Sequence, residues 1–215
     1  VIGVAIALPI GVISAYRQYS VFDQAGTFVS MIGFSVPPFF SGVLLIVIFS
    51  VNLGWLPSIY DTTHVVVDWE TMKFQFQQMI MPVMVLALQT TAQVSRYMRA
   101  SMLDNLGQDY VRTARAKGLP ESVVIRRHAL RPAMLPVISF LGPATAGMIS
   151  GSVVIERIFS IPGLGSYFVQ GALNRDYTLV MGVVVFYGVL IILLNLLVDL
   201  IYAWLNPKIR YDDKA

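Results

Sequence analysis

From Leu179 to Val198 the chain runs for twenty residues without a formal charge. At 1.5 Å per helical residue, such a run crosses the roughly 30 Å hydrocarbon core of a bilayer. The rest of the chain is written in the same manner. It is 56% hydrophobic and only 13% charged, with a mean hydropathy of +0.70. A soluble domain carries about 25% charged residues, because its surface must meet water. These bounds predict an all-α membrane protein, a polytopic helical bundle of about five spans forming one transmembrane domain over residues 1–215. The chain has no cysteine, which excludes a disulfide framework and any thiolate metal site. Its net charge of +3 is small and shows no basic nucleic-acid face.

The expected spans lie at about 1–16, 27–51, 79–103, 133–155 and 179–205. The first covers only about 22 Å and reads as a truncated helix. The second is interrupted by Pro37 and Pro38. The third contains Pro82 and a polar stretch at Gln89, Thr90, Thr91 and Gln93. The fourth contains Pro136, Gly142, Pro143, Gly147 and Gly151. Breakers at membrane depth are tolerated where neighbouring protein satisfies the freed backbone groups. Such interrupted spans therefore predict a bundle around a pathway. Small residues such as Gly142, Ala144, Ala146, Gly147 and Gly151 permit close helix contact.

The basic residues set the orientation. If 17–24, 96–131 and the tail after Asn206 share one side, that side holds twelve of the fifteen Lys and Arg. The other holds Lys73, Arg157 and Arg175, beside Asp61, Asp68, Glu70, Glu156 and Asp176. The basic side is thus expected to be cytoplasmic, with Ala215 on that side. Tyr202 and Trp204 suit an interfacial anchor.

The segment 104–132 on that side is too long for a turn. Gly107 closes the preceding span, Asp109 is the expected N-cap of a helix over 110–117, Gly118 stops it in a left-handed C′ conformation, and Pro120 opens the next helix. Tyr110, Ala114 and Lys117 share one face, and Arg112 and Arg115 another. Such a helix reads either as a docking element for a partner's groove or as a basic helix resting on anionic lipid. Its abrupt stop and restart favour docking.

This stretch, Asp109-Tyr-Val-Arg-Thr-Ala-Arg-Ala-Lys-Gly118-Leu-Pro, resembles the "EAA" loop of ABC-importer permeases, in the form used by the peptide/nickel branch (dipeptide, oligopeptide and glutathione permeases). Anchored on Gly118, the Glu-Ala-Ala positions are Arg112, Thr113 and Ala114. The closing Ile-x-Leu-Pro positions are His128, Ala129, Leu130 and Arg131, with the proline one step late at Pro132. Gly118, Ala114 and Leu130 match the general pattern; its Glu, Ile and Pro do not, which points away from maltose-type and amino-acid-type permeases. The stretches from Gly151 to Gly165, from Asn174 to Tyr177 and from Asn195 to Tyr211 are similar to the same branch. The resemblance covers nearly the whole chain and implies a permease core lacking its amino-terminal part, with six spans in the native chain.

The resemblance further implies a type I importer fold and a set of partners. These are a second, homologous permease subunit, two ATPase subunits that carry ATP and Mg, an external (periplasmic) solute-binding protein, a peptide substrate and membrane lipid. Tyr110, Arg112, Thr113, Ala114, Arg115, Lys117 and Gly118 would form the ATPase-coupling element. This chain contains no Gly-x-x-x-x-Gly-Lys-Ser/Thr loop, so no cofactor is expected on it and it is read as a translocation subunit, not an enzyme.

Gln89, Thr90, Gln93, Phe140 and Met148 are the expected pathway-lining residues. Glu156, at the outer end of the fourth span, reads either as a solvated end charge or as an outer gate. The main rival function is a proton-coupled secondary transporter, since an intramembrane carboxylate is a functional candidate. Asp199 is taken as the only carboxylate in a span and sits at its cytoplasmic end, where a structural pairing is the simpler role. An intramembrane aspartyl protease lacks an acid dyad, and Ser166 follows Gly165 where that chemistry needs Asp. His64 and His128 fall on opposite sides of the membrane, which excludes a paired-His metal site.

Overall fold

The computed structural model of the protein describes residues 1–149 and 152–205, and among these every regular element is helical. The central element is α4, Trp69–Leu106, whose 38 residues reach about 57 Å, well beyond a bilayer core. A reciprocal capping box fixes its start: Thr71 N–H donates to Asp68 Oδ1 at 2.8 Å while the Asp68 N–H donates to Thr71 Oγ1 at 3.0 Å. More of the helix-to-helix packing in the fold involves α4 than any other element.

Helix α1, Ile2–Tyr16, runs alongside α4 at very short range. A Cβ at Gly11 would meet Met98 Cβ at 2.6 Å and the Ser95 carbonyl oxygen at 2.8 Å. Only a glycine permits this approach, which is the means by which membrane helices gain packing where apolar burial gives no preference between lipid and protein. A turn at 17–20 leads into α2, Val21–Ser35, where Ser20 caps the helix by accepting the Asp23 N–H. Helix α2 runs back along α4, with Ser30 and Ser95 hydroxyls 3.1 Å apart.

The second expected span, 27–51, is sharply bent at its prolines. Helix α2 ends at Ser35, and α3, Pro38–Leu45, continuing as a π-helical turn Ile46–Asn52, leaves at 100° to it. Val36 and Pro37 are both extended. A residue before proline is forced out of the helical region, and proline at the first helical position starts a new helix well but cannot continue an old one. The run 27–51 is therefore a bent pair.

Helix α5, Asp109–Ala116, follows α4, and the chain restarts at α6, Glu121–Val123. There is no second separate helix in the 104–132 loop. Helix α6 passes through a π-helical stretch, Val124–Ala129, directly into α7, Leu130–Ile149, so the restart after Pro120 is the beginning of the fourth long helix. The fourth run also divides: α8, Val153–Ile158, is separate, and Gly151 lies outside the described residues. Helix α9, Leu164–Leu173, leads to α10, Tyr177–Leu205. Helix α10 packs on α7 where Gly142 admits Val198; a Cβ there would fall 2.6 Å from Val198 Cγ2. Of the other small residues, Ala146 is buried, whereas Gly147 has open space beside it. The tail containing Lys208, Arg210 and Lys214 lies outside the described residues.

Among the described helices, α10 alone is both long and apolar enough to cross a bilayer, with mean hydropathy 2.7 over Tyr177–Trp204. The bent α2–α3 pair is apolar enough when taken together, and α1 is apolar but shorter. Helices α4 and α7 carry charged, polar and proline residues along their length, which lowers their average below that of a lipid-facing helix.

Candidate functional site

Helix α5 begins at an extended Gln108, with Asp109 in its first turn and Arg115 in its last. Both charges complement the helix dipole. Asp109 is therefore the first helical residue and not the expected cap. Gly118 ends the helix at φ +73°, donating its N–H to the Arg115 carbonyl at 2.9 Å. Any residue with a Cβ is strained in that left-handed region.

One face of α5 is inside the protein. Val111 is fully buried and Ala114 is 4% exposed, in a core shared with Met102 of α4, Val124 and Ala129 of the π-helical stretch, and Ala133 and Val137 of α7. Ala114 was expected on a partner-facing surface; its small size instead lets α5 lie close to its own π-helical stretch. Burying Val111 contributes roughly 1.5–3 kcal/mol, so α5 is fixed to the bundle and does not hang free. The opposite face carries Asp109, Arg112, Thr113 and Ala116, flanked by Tyr110 and Lys117, all exposed. Ala116, which the sequence reading passed over, is the small residue at the outward surface. The Tyr110 hydroxyl donates to Asn105 Oδ1 at 2.6 Å, and partial burial raises its pKa. Arg115 bridges to Glu121 across the Gly118 turn, Nη2 to Oε1 at 2.8 Å and Nε to Oε2 at 3.2 Å. That guanidinium holds the Glu121 carboxyl below its ordinary value.

Gln89, Thr90 and Gln93 of α4 and Phe140 and Met148 of α7 line a single cavity of about 290 Å³, with Pro38 also on its lining. Thr90 donates to the Leu86 carbonyl at 2.9 Å, and its Oγ1 sits 4.0 Å from Met148 Sδ. The Gln89 and Gln93 amides are half-buried and make no hydrogen bond to a described protein group. Tyr97 stacks on Phe140 with ring centroids 4.9 Å apart, marking the end of the cavity nearer α5.

Glu156 is 9% exposed, which rules out the solvated end charge. Its Oε2 accepts the Ser166 N–H at 2.8 Å, and a Cβ at Gly163 would fall on its carboxylate. The chain at 163–166 thus wraps the carboxylate and aims the first turn of α9 at it. Gly163 is therefore explained by Glu156, and Gly165 by Val153 together with Glu156, since a Cβ there would fall 2.7 Å from Val153 Cγ2 and 3.1 Å from Glu156 Oε2.

The sequence reading also missed a second buried carboxylate. Asp23, counted with the loop at 17–24, is 2% exposed in the first turn of α2 and is gripped by Arg99 of α4. Asp199 is exposed on α10. No cluster of three metal-ligating groups occurs among the described residues.

Residues 7–211 match the family described as "Binding-protein-dependent transport system inner membrane component". The chain belongs to this family. Among its relatives, the oligopeptide transport system permease protein AppB of Bacillus subtilis (strain 168) is 43% identical over 215 residues, covering 98% of this chain and 66% of AppB. The oligopeptide transport system permease protein OppB of Escherichia coli (strain K12) is 43% identical over 210 residues, covering 98% of this chain and 65% of OppB. The dipeptide transport system permease protein DppB of Bacillus subtilis is 42% identical over 215 residues, covering 100% of this chain and 66% of DppB. The chain thus spans just under two thirds of these relatives' length. The fold is shared with the crystal structure of an amino acid ABC transporter with histidines, at TM-score 0.63 and 16% identity over 94% of this chain and 86% of that one. The resemblance seen in the loop ending at Gly118 is thus family membership, and the fold is the helical permease fold of that family.

Proposed function

We propose that this chain is a translocation subunit of an ATP-driven importer of di- and oligopeptides, and that α5 is the element on which the ATPase acts. The observation that carries this is the two-sided character of α5. Its inner face is packed into the core through Val111 and Ala114, and its outer face, with Arg112, Thr113 and Ala116, is bare. Relatives at 42–43% identity are oligopeptide and dipeptide permeases, which supplies the substrate class.

The mechanism follows from connectivity. ATP and Mg would sit on two separate ATPase subunits, whose closure displaces the outer face of α5. Because the core around Val111 and Ala114 includes residues of both α4 and α7, α5 cannot move without carrying those helices. The same two helices supply Gln89, Thr90 and Gln93 on one wall and Phe140 and Met148 on the other. Displacement at α5 therefore changes the cavity, which is the two-state behaviour that alternating access needs. A second homologous permease would complete the pathway, and an external solute-binding protein would deliver peptide on the side of α8 and α9. In this reading α5 and the carboxyl end of the chain face the cytoplasm. Glu156, held by the start of α9, would act at the outer end.

The test is ATP-dependent uptake of labelled peptide by proteoliposomes containing the full-length chain and its partners. Uptake should need ATP hydrolysis and survive a protonophore. A complex that lacks ATPase subunits, or uptake that collapses with the proton gradient at constant ATP, would refute the reading in favour of a secondary transporter.

A further inference from the structure

Beyond the cavity at Gln89, a second one of about 630 Å³ lies between α2 and α4, lined by Thr27, Phe34, Gln93, Arg96, Tyr97 and Arg99. Gln93 belongs to both cavities, and the Tyr97–Phe140 ring pair stands at their junction. The two thus adjoin at Gln93 of α4, and the second lies nearer α5.

Its two guanidinium groups differ in state. Arg99 is neutralised by Asp23 through two hydrogen bonds. Arg96, one turn earlier, is exposed to the cavity, forms no ion pair or hydrogen bond with any described residue, and is held only by the face of the Phe34 ring, 5.7 Å from its centroid. A cation over an aromatic ring is oriented while its planar N–H fork stays available. Arg96 lies ten residues before the end of α4, or about 15 Å along the axis. The guanidinium there has no counter-charge among the described residues and is open to water or to an anion. The fork geometry suits a carboxylate bound through two parallel hydrogen bonds, with the Gln93 amide and Thr27 hydroxyl in the same cavity to complete its shell.

We infer that Arg96 is a carboxylate-binding residue of the translocation pathway, engaging the free C-terminal carboxylate of a peptide in transit. This rests on the peptide-import reading above and adds to it a specificity element within the membrane subunit itself.

The test compares wild type with Arg96→Gln and Arg96→Lys in the reconstituted full-length complex. The probe is a labelled tripeptide of uncharged residues, offered as the free acid and as the C-terminal amide. Removing a charge-assisted bond should lower free-acid uptake by about tenfold in Arg96→Gln, lower amide uptake far less, and so erase the wild-type preference. Arg96→Lys should keep free-acid uptake within about threefold, since it retains the charge and loses only the fork. Where the wild type takes up too little amide to measure, the contrast between the Lys and Gln variants decides. Equal loss of both peptides, equal loss in both variants, or no loss in either would overturn the inference while leaving peptide import standing. Failure of the wild-type complex to take up either peptide would instead count against the functional reading. A loss in Arg96→Gln that appears only in vesicles rich in anionic lipid would assign the residue to a lipid headgroup and also overturn it.

Discussion

Arg99 donates to both oxygens of Asp23, Nε to Oδ1 at 2.5 Å and Nη2 to Oδ2 at 2.7 Å, across 76 residues of sequence. Oδ2 also accepts the Tyr19 N–H at 2.9 Å, where Tyr19 adopts a left-handed φ of +63°. One carboxylate therefore fixes the α1–α2 turn and ties α2 to α4. Asp23→Ala strips Arg99 of its partner and frees the strained turn. The expected cost is about 2–4 kcal/mol, because Asp23 is buried but Arg99 remains partly hydrated. Thermal unfolding of the purified protein in detergent measures it. Asp23→Leu combined with Arg99→Met should recover much of the loss, whereas a double variant no better than Asp23→Ala would contradict the pairing.

Gly163 lies against the Glu156 carboxylate with no room for a side chain. Gly163→Ala should push that carboxylate off the Ser166 N–H and cost roughly 1–3 kcal/mol. With Glu156→Ala already in place, the same change should cost less than half as much. Protease resistance of the α8–α9 segment reports both, and equal costs in the two backgrounds would show that the glycine serves something other than the carboxylate.

The Arg115–Glu121 bridge makes the turn at Gly118 sensitive to acid. Its guanidinium lowers the Glu121 pKa from an ordinary 4.5. A carboxylate with a lowered folded-state pKa stabilises at pH above its unfolded value, and the contribution disappears as pH falls through the folded one. Both side chains are exposed by a third or more, so the effect is at most about 1 kcal/mol. Amide protection factors for 115–121 should be higher in wild type than in Glu121→Gln at pH 7. The two should converge below pH 4.5. A gap that persists in acid would mean the bridge contributes nothing.

Much of this arrangement was legible in the residues, and the exceptions share a cause. The apolar run ending at Val198 and the Gly118 stop depend on local rules of length and backbone conformation, and α10 and α5 appear where those rules put them. Gln89, Thr90, Gln93, Phe140 and Met148 are polar or bulky side chains at span depth, and the fold gathers them around one cavity. Asp23 was assigned to a loop because nothing local to it announces a partner at position 99. Ala114 and Ala116 are the same residue type two positions apart, and only the packing of α5 on Val124 and Ala129 decides which faces inward. Glu156 likewise became buried through a glycine turn that follows it in sequence. In each case the deciding neighbour came from another element. The bend at Pro37 was signalled, but its size of 100° was not.

The inner and outer faces of α5 should respond in opposite ways to added bulk. Ala114→Leu overfills a closed core and should destabilise the protein by about 1–3 kcal/mol, seen as a lower unfolding midpoint. A midpoint equal to wild type would place Ala114 at an open surface.

Ala116→Trp tests the coupling role most directly. On an exposed helix face it should leave unfolding within about 0.5 kcal/mol of wild type, while blocking the close approach of an ATPase groove. In proteoliposomes holding the full-length chain, its partner permease, both ATPase subunits and the binding protein, ATP-driven uptake of labelled oligopeptide should fall by at least about tenfold, equivalent to 1.4 kcal/mol. Uptake equal to wild type in a complex of unchanged stability would contradict the assignment of α5 as the element through which ATP hydrolysis moves the transmembrane helices.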